Sequence, residues 1–406
     1  MSEYDNELSK IVAELNRAAP SQKTAERVPR STASLEELLK YAAGRNASDV
    51  LLIAGAPPVL RVQGALVPGT GPGLEPEDVN SYVLPLLEPP QLEELRQKKS
   101  VDLGFVREGL GRFRVNLHHQ RGTVAASIRL LPARIPSLES LHLPASLAKL
   151  AERRQGLVLV TGPTGCGKSS TLAALIDLVN TRRAAHVVTI EDPVEYQHAN
   201  RSAIIEQIEV GRDTPDFAGT LRSILRQTPD VILVGEMRDA ETIATVLTGA
   251  ETGHLVLSTL HTNDAPSSIT RLINIGIEPF LISAALNAVL AQRLVRKICS
   301  NCKRPVDTIR DTHAAYLKRI GATLPSSFQG AGCDKCHQSG YKGRMGIYEF
   351  LELNEGLRDV ISNNPSLTDL RRAAKTADMR SIQEDGLAKV AQGTTTLEEV
   401  MRVTET

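Results

Sequence analysis

The chain has 406 residues, 41% of them apolar and 23% charged, with 47 Lys plus Arg balancing 47 Asp plus Glu. That apolar share excludes wholesale disorder, and a formal charge of zero gives no support to a protein that wraps a polyanion. At roughly 100–200 residues per domain, two or three domains are expected.

The longest nearly apolar stretch, Phe280–Ala291, contains Ser283 and Asn287 and is shorter than the roughly 20 residues a bilayer span needs. The N-terminus, MSEYDNELSK, has no secretory apolar region. A cytoplasmic protein is expected, associating with a membrane only through partners. Five cysteines, four of them in two CxxC pairs, argue against a disulfide framework.

In chain order, residues 1–16 carry Leu8, Ile11, Val12 and Leu15 on one helical stripe, and a polar arm runs on to residue 33. A first domain, 34–131, starts at Ser34, which has capping-box spacing to Glu37. Strands are predicted at Val50–Ile53, Val59–Val62, Arg112–Leu117 and Val124–Leu130, with a helix near Pro90–Lys98, an α+β pattern. Residues 132–145 read as a proline-bearing linker.

From residue 146, strands at Leu157–Thr161, His186–Ile190, Val231–Val234 and His254–Leu260 alternate with helices, which predicts an α/β domain built on a largely parallel sheet. Helices are expected at Pro279–Arg296 and Ser366–Val390, with a cysteine-bearing insert, 297–338, between them.

The strongest local signal is GPTGCGKS: Gly162, Pro163, Thr164, Gly165, Cys166, Gly167, Lys168 and Ser169. It follows the apolar strand LVLVT and precedes a helix that continues through Ser170. Glycines let backbone N–H groups curl around a phosphate, Lys168 reaches the β- and γ-phosphates of ATP, and Ser169 ligates Mg²⁺. Hydrolysis also needs carboxylates. TIEDPVEY (Thr189–Tyr196) and DVILVGEMRD (Asp230–Asp239) deliver them at strand ends, with Glu236 just past the second strand. His254 and His261 bracket the next strand, and the second is expected in the loop beyond it, as a γ-phosphate sensor or as a structural histidine.

CSNC (Cys299, Cys302) and CDKC (Cys333, Cys336) offer four soft thiolates, which favour a closed, structural Zn²⁺ site. A rubredoxin-like iron is the chemical alternative. The insert has little apolar content of its own, so a metal is expected to contribute to its folding.

The ordered set Gly162–Ser169, TIEDPVEY, VGEMRDAET and TGHLVLSTLHTNDA resembles the type II/type IV secretion ATPase family, the hexameric motors of type IV pili and type II secretion, over about residues 35–406. The resemblance implies a PAS-like N-terminal domain followed by a RecA-like P-loop domain. It implies that Glu191, Asp192 and Glu195 form an acidic box, with Glu195 polarising the attacking water. It makes Glu236 the Walker-B glutamate that organises Mg²⁺ directly or through water, and His254 and His261 a pair that couples nucleotide state to domain position. Arg114 and Arg129 become first-domain arginines that reach the nucleotide, with Arg112 and Arg121 weaker candidates. Leu51 stands where most members have histidine.

The tetracysteine insert, GYKGRMGIYE (Gly340–Glu349) and the C-terminal segment resemble the assembly branch. GEMRD and AGAPPVLRVQGAL read more like the retraction branch. The expectation is a homohexameric motor that extends a type IV pilus or pseudopilus through a polytopic inner-membrane platform protein, with other cytoplasmic machine components as further partners, and retraction is the alternative. A DNA translocase is disfavoured by 3% aromatics and no Trp, so no stable nucleic-acid binding is expected. A nucleotide-gated scaffold is disfavoured by the presence of both Glu195 and Glu236.

Overall fold

The computed structural model describes residues 34–405 apart from 63, 133, 307–309 and 325. The expected helix within residues 1–16 and the arm after it lie outside the described residues. The chain divides into two compact units after Leu130.

The first unit holds α1 (Leu35–Gly44), β1 (Ala47–Leu52), β2 (Val59–Val62), β3 (Ala65–Pro68), α2 (Pro76–Val83), α3 (Pro89–Lys98), β4 (Ser100–Arg107), β5 (Gly111–Gln120) and β6 (Thr123–Leu130). Ser34 opens α1 with the expected reciprocal cap: its Oγ accepts from Glu37 N–H, and its own N–H donates to Glu37. The strands form one antiparallel sheet in the order β3-β2-β1-β6-β5-β4. Along β5, Phe113, Val115 and Leu117 enter the core under the helices, while Arg114 and Asn116 point the other way. Neither β3 nor β4 was expected. The first is four exposed residues ending in proline, and β4 alternates with charged positions.

The second unit is built on a seven-stranded sheet, β15-β12-β7-β11-β10-β8-β9. Its chain order is α4 (Leu147–Leu150), β7 (Gly156–Thr161), α5 (Lys168–Arg182), β8 (His186–Glu191), β9 (Ile204–Glu209), α6 (Phe217–Ile224), β10 (Val231–Val234), α7 (Ala240–Glu251), β11 (Leu255–Leu260), α8 (Ala265–Asn274), α9 (Pro279–Ala285) and β12 (Leu286–Ile298). The insert follows with β13 (Lys303–Pro305), α10 (Asp311–Arg319) and β14 (Phe328–Gly330). The chain closes with β15 (Tyr341–Glu352), α11 (Glu355–Ser362), α12 (Leu367–Thr376), α13 (Ile382–Ala391) and α14 (Leu397–Thr404).

All pairings in this sheet are parallel except β12 with β15. Helices cover both faces, so the central strands are buried throughout and show no polar alternation. The period of two survives in which core each residue joins. Leu157 and Leu159 of β7 enter one core with Ile232 and Val234 of β10, while Val158 and Val160 enter the other with Leu233 and Leu257. This is the RecA-like arrangement that the family resemblance predicted.

Two expectations are corrected. The helix expected over Pro279–Arg296 stops at Ala285, and residues 286–298 form the longest described strand, paired with β7 on one side and β15 on the other. An apolar run of that length reads the same for a buried helix and a buried strand. The helix expected over Ser366–Val390 is two helices, broken at Asp378 (φ 56°) and restarted by a Ser381 cap. Within the expected linker, Leu138 and Leu143 join the second unit's core, and Leu141 carbonyl accepts from Tyr348 Oη at 2.7 Å.

Candidate functional site

Parallel strands put the residues that follow them at one sheet edge. The C-terminal ends of β7, β10 and β11 lead into the glycine loop, Glu236 and His261 respectively. In the loop, Gly162, Gly165 and Gly167 have φ of 145°, 76° and 94°, which side chains rarely adopt. A Cβ on Gly162 would lie 2.4 Å from Gln292 carbonyl oxygen and 2.7 Å from Cys166 Sγ, whereas one on Gly165 would meet nothing within 4 Å. The cradle is therefore packed against β12 on one side and open on the other. Lys168 Nζ donates to the Gly162 and Pro163 carbonyls at 2.9 and 3.2 Å. Burial pushes this ammonium's pKa down, while negative charge at Glu236 and Glu195 favours keeping it charged.

Glu236 is the hub of the edge. Its side chain is largely buried, with Arg238 Nη2 at 2.5 Å on one oxygen and His261 Nε2 at 3.6 Å from the other. Glu195 is set by its neighbours. Val194 N–H donates to Glu209 at 3.0 Å, and Tyr196 Oη shares a 2.7 Å hydrogen bond with Ser170 Oγ in the first turn of α5. Ser170, expected to bind nucleotide, thus uses its hydroxyl to join the acidic loop to the phosphate-loop helix. Glu191 accepts from Thr189 Oγ1 and Gln207 Nε2, which assigns it to bracing β8 and β9.

The two histidines are not neighbours. His261 sits beyond β11 next to Glu236, whereas His254 precedes the strand, beside Gly156 at the start of β7, and its Nδ1 bonds Gly249 carbonyl at 2.9 Å. Six strand residues at about 3.3 Å each separate them, so they bracket the strand as expected and only His261 lies beside Glu236. Arg114 and Arg129 belong to the first unit, directly opposite each other on β5 and β6. Asp102 is 3.9 Å from Arg114, and Asp49 is 3.0 Å from Arg129. Arg112 is buried along Gly104, and Arg121 occupies the β5–β6 turn with φ 47°.

Residues that pattern reading missed include Arg238, Thr161, Gln292 and Arg293. Arg238 was legible as the next charged side chain after Glu236. The other three act across strands and leave no local signature.

The four insert cysteines converge, with their sulfurs all within 4.8 Å of one another. Neighbouring pairs lie at 3.9 Å (Cys299–Cys333), 3.8 Å (Cys302–Cys336) and 3.6 Å (Cys333–Cys336). Tetrahedral thiolates at about 2.3 Å from a metal would be about 3.8 Å apart. The donors fit such an ion. Asn301 Nδ2 donates to Cys333 Sγ at 3.4 Å, and this bond is the main cause that lowers that thiol's pKa, whereas burial pushes the Cys302 thiol up. The knuckles meet because Gly330 and Gly340 touch backbone to backbone, where any side chain would collide. The insert is not without apolar anchoring: Tyr316 and Leu317 of α10 pack with Leu387, Val390, Leu397 and Val400 of the C-terminal helices.

Comparison with known proteins agrees with this geometry. The chain is 44% identical over 284 residues to type II secretion system protein E of Pseudomonas aeruginosa, 68% of this chain and 55% of that one. It is 43% identical over 257 residues to the type IV pilus assembly ATPase PilB of Myxococcus xanthus, 62% of this chain and 44% of that one. With the PilT retraction ATPase of Pseudomonas aeruginosa it shares 40% identity over 270 residues, 65% of this chain and 78% of that one. The chain thus spans about half the length of the secretion and assembly relatives. The crystal structure of the pilus retraction motor PilT with bound ADP superposes with a TM-score of 0.76 at 36% identity, over 91% of this chain and 97% of that one. Residues 113–402 match the family described as Type II/IV secretion system protein, and the chain belongs to that family.

Proposed function

We propose that the chain is an ATPase motor of a pilus or secretion machine, acting as a homohexamer on a polytopic inner-membrane platform protein. The observation that carries this reading is the convergence of Lys168, Glu236 and His261 on one sheet edge behind a complete glycine loop, with the Glu195 loop bonded to the first turn of α5. No helix among the described residues is long and apolar enough to cross a membrane, so membrane association is assigned to the platform protein. The family likeness supports a PAS-like identity for the first unit.

In this reading the loop N–H groups and Lys168 bind the phosphates of ATP, and the α5 N-terminus adds favourable dipole. Ser169 and Glu236 would hold Mg²⁺, directly or through water, and the ion would supply neutralisation of phosphate charge. Glu195 orients the attacking water and draws on its proton. His261, against Glu236, senses whether the γ-phosphate is present. Arg114 and Arg129 are the first unit's phosphate-neutralising side chains. Leaving the exposed pair with Asp102 costs Arg114 about 1 kcal/mol or less, and Asp49 keeps Arg61 at 3.6 Å when Arg129 leaves it. Zinc is the metal proposed for the four thiolates, and elemental analysis of the purified chain decides between zinc and iron.

Of the two directions of work, retraction has the better support, because the retraction motor PilT superposes with a TM-score of 0.76 over 97% of its chain. Assembly is the second reading, and the clustered tetracysteine insert favours it. The activity is tested by ATP turnover of the purified chain. Glu236→Gln is expected to lower kcat by about 100-fold or more with nucleotide affinity retained. Turnover undiminished by this change would remove Glu236 from the chemistry. The direction is tested by deleting the gene and counting surface filaments: excess filaments mean retraction, and loss restored only by the wild-type copy means assembly.

A further inference from the structure

The loop that carries His261 is fastened on both sides to the segments flanking the phosphate loop. On one side stands Thr161, the last residue of β7 and the neighbour of Gly162, with no exposed surface. Its Oγ1 lies 3.0 Å from Leu260 carbonyl oxygen and 3.2 Å from that of Thr262, accepts from Thr262 N–H at 3.0 Å, and is 2.6 Å from Thr262 Oγ1. Thr262 Oγ1 is in turn 2.6 Å from Ser268 Oγ in α8. One hydroxyl therefore grips the chain immediately before and immediately after His261.

On the other side stands Arg293 of β12, 6% exposed. Its Nη2 donates to Asn263 carbonyl oxygen at 2.9 Å and to Asn263 Oδ1 at 3.2 Å, and its Nη1 donates to Gln292 carbonyl oxygen at 3.1 Å. That same Gln292 carbonyl is the group on which Gly162 packs. These acceptors are neutral oxygens, with Asp264 and Glu349 near enough to favour the charge. A buried guanidinium is a poor device for stability, since well-packed apolar side chains usually do as well or better. Its planar fork is suited to fixing two segments in one register.

Gln292 does a different task. Its Nε2 donates to Cys166 carbonyl oxygen at 2.8 Å, and its Oε1 accepts from Thr171 Oγ1 at 2.9 Å. Both partners belong to the phosphate loop and its helix, so Gln292 sets the loop's shape and not the position of His261.

We propose that Thr161 and Arg293 are positioning residues for ATP hydrolysis: together they hold the His261 loop, and through it Glu236, in register with the phosphate loop. The inference rests on the ATPase reading above. It separates two effects. Losing Thr161 or Arg293 displaces groups used in turnover and lowers kcat, whereas losing Gln292 loosens the phosphate cradle and raises KM.

The test is steady-state ATP hydrolysis by the purified full chain, with nucleotide affinity and thermal midpoint measured beside it. The variants are Thr161→Val, Thr161→Ser, Arg293→Met, Arg293→Lys and Gln292→Ala, with the Thr161 and Arg293 changes repeated on His261→Ala. Thr161→Val and Arg293→Met are expected to lower kcat about tenfold or more with nucleotide affinity within about threefold of wild type, since small displacements of reacting groups carry penalties of that size. Thr161→Ser, which keeps the hydroxyl, restores most of kcat. Arg293→Lys, which keeps the charge but not the fork, falls between. On His261→Ala, neither change lowers kcat more than about twofold further.

If Arg293→Met does not fold, the Thr161 pair, which exchanges groups of nearly equal volume, carries the test alone. A kcat unchanged in Thr161→Val, or losses that multiply fully with that of His261→Ala, would overturn the inference while leaving the ATPase reading intact. A wild-type chain that does not turn over ATP would sink the reading and the inference together.

Discussion

At the scale of single residues, the glycine loop shows how one motif contains positions under different constraints. Gly162 and Gly165 both have positive φ, but only Gly162 is closed in, by Gln292 carbonyl oxygen and Cys166 Sγ. Gly165→Ala is expected to lose about 1–2 kcal/mol, the strain of a left-handed side chain in open space. Gly162→Ala adds a backbone collision and is expected to lose about 3 kcal/mol or more, together with nucleotide affinity. Chemical denaturation of the two variants measures the difference, and equal losses would refute the packing argument. The motif was legible in the sequence because its residues are contiguous. Its supports were not: Gln292 and Arg293 are more than a hundred residues away and reach the loop only because β12 lies beside β7. His254 shows the converse. Its place in a known pattern was legible, but six intervening residues of extended strand put it at the far end of β11 from Glu236.

At the scale of elements, strands with a mixed environment were the hard ones. Central strands β7, β10 and β11 are continuous apolar runs between turns and were legible to within a residue. Strand β12 directly continues α9, with no glycine or proline from Phe280 to Ile298 to mark the change. What ends the helix is tertiary: β7 and β15 offer two sets of partners that a helix there would leave unpaired. The insert poses the reverse case, since its cysteine spacing was fully informative while its short strands and α10 were not. Chelation tests how far a metal on the four thiolates would hold it. Chelation, or Cys333→Ser, is expected to open residues 299–340 to proteolysis while α/β secondary structure in the rest of the second unit persists. Equal protease resistance with and without metal would leave Tyr316 and Leu317, anchored on α13 and α14, as the whole support.

The last helix is held by charge. Burial alone would raise the Glu399 pKa, but Arg402 and Arg296 bond the carboxylate and hold it down to about 2. A carboxylate whose folded pKa lies below its unfolded value stabilises the fold above the unfolded pKa and loses that contribution as pH falls toward the folded one. The window is therefore about pH 4.5 down to about 2. Over it α14 is expected to loosen from β12, with Glu399→Gln abolishing the pH dependence and costing about 3 kcal/mol at neutral pH. Fluorescence of a probe attached to α14 reads this directly, and a wild-type midpoint shared by Glu399→Gln would exclude the carboxylate as the cause.

At the scale of the whole molecule, the site as this chain presents it has a cradle, a hub carboxylate and a second carboxylate on a loop bonded to the cradle, while its proposed arginines lie in the other compact unit. A motor that uses them must bring the units into register during each cycle, and a ring is the arrangement in which such movement transmits force to a partner. ATP turnover per chain is therefore expected to rise with protein concentration until assembly is complete, and to be flat above that point. Light scattering should show hexamers over the same range in which turnover rises. Arg114→Ala and Arg129→Ala are expected to lower turnover at saturating concentration without moving the assembly midpoint, because Arg114 leaves behind an exposed aspartate and Asp49, the partner of Arg129, keeps Arg61 at 3.6 Å. Full turnover by a monomer at high dilution would refute the ring, and the two arginines would then have to act within a single chain or not at all.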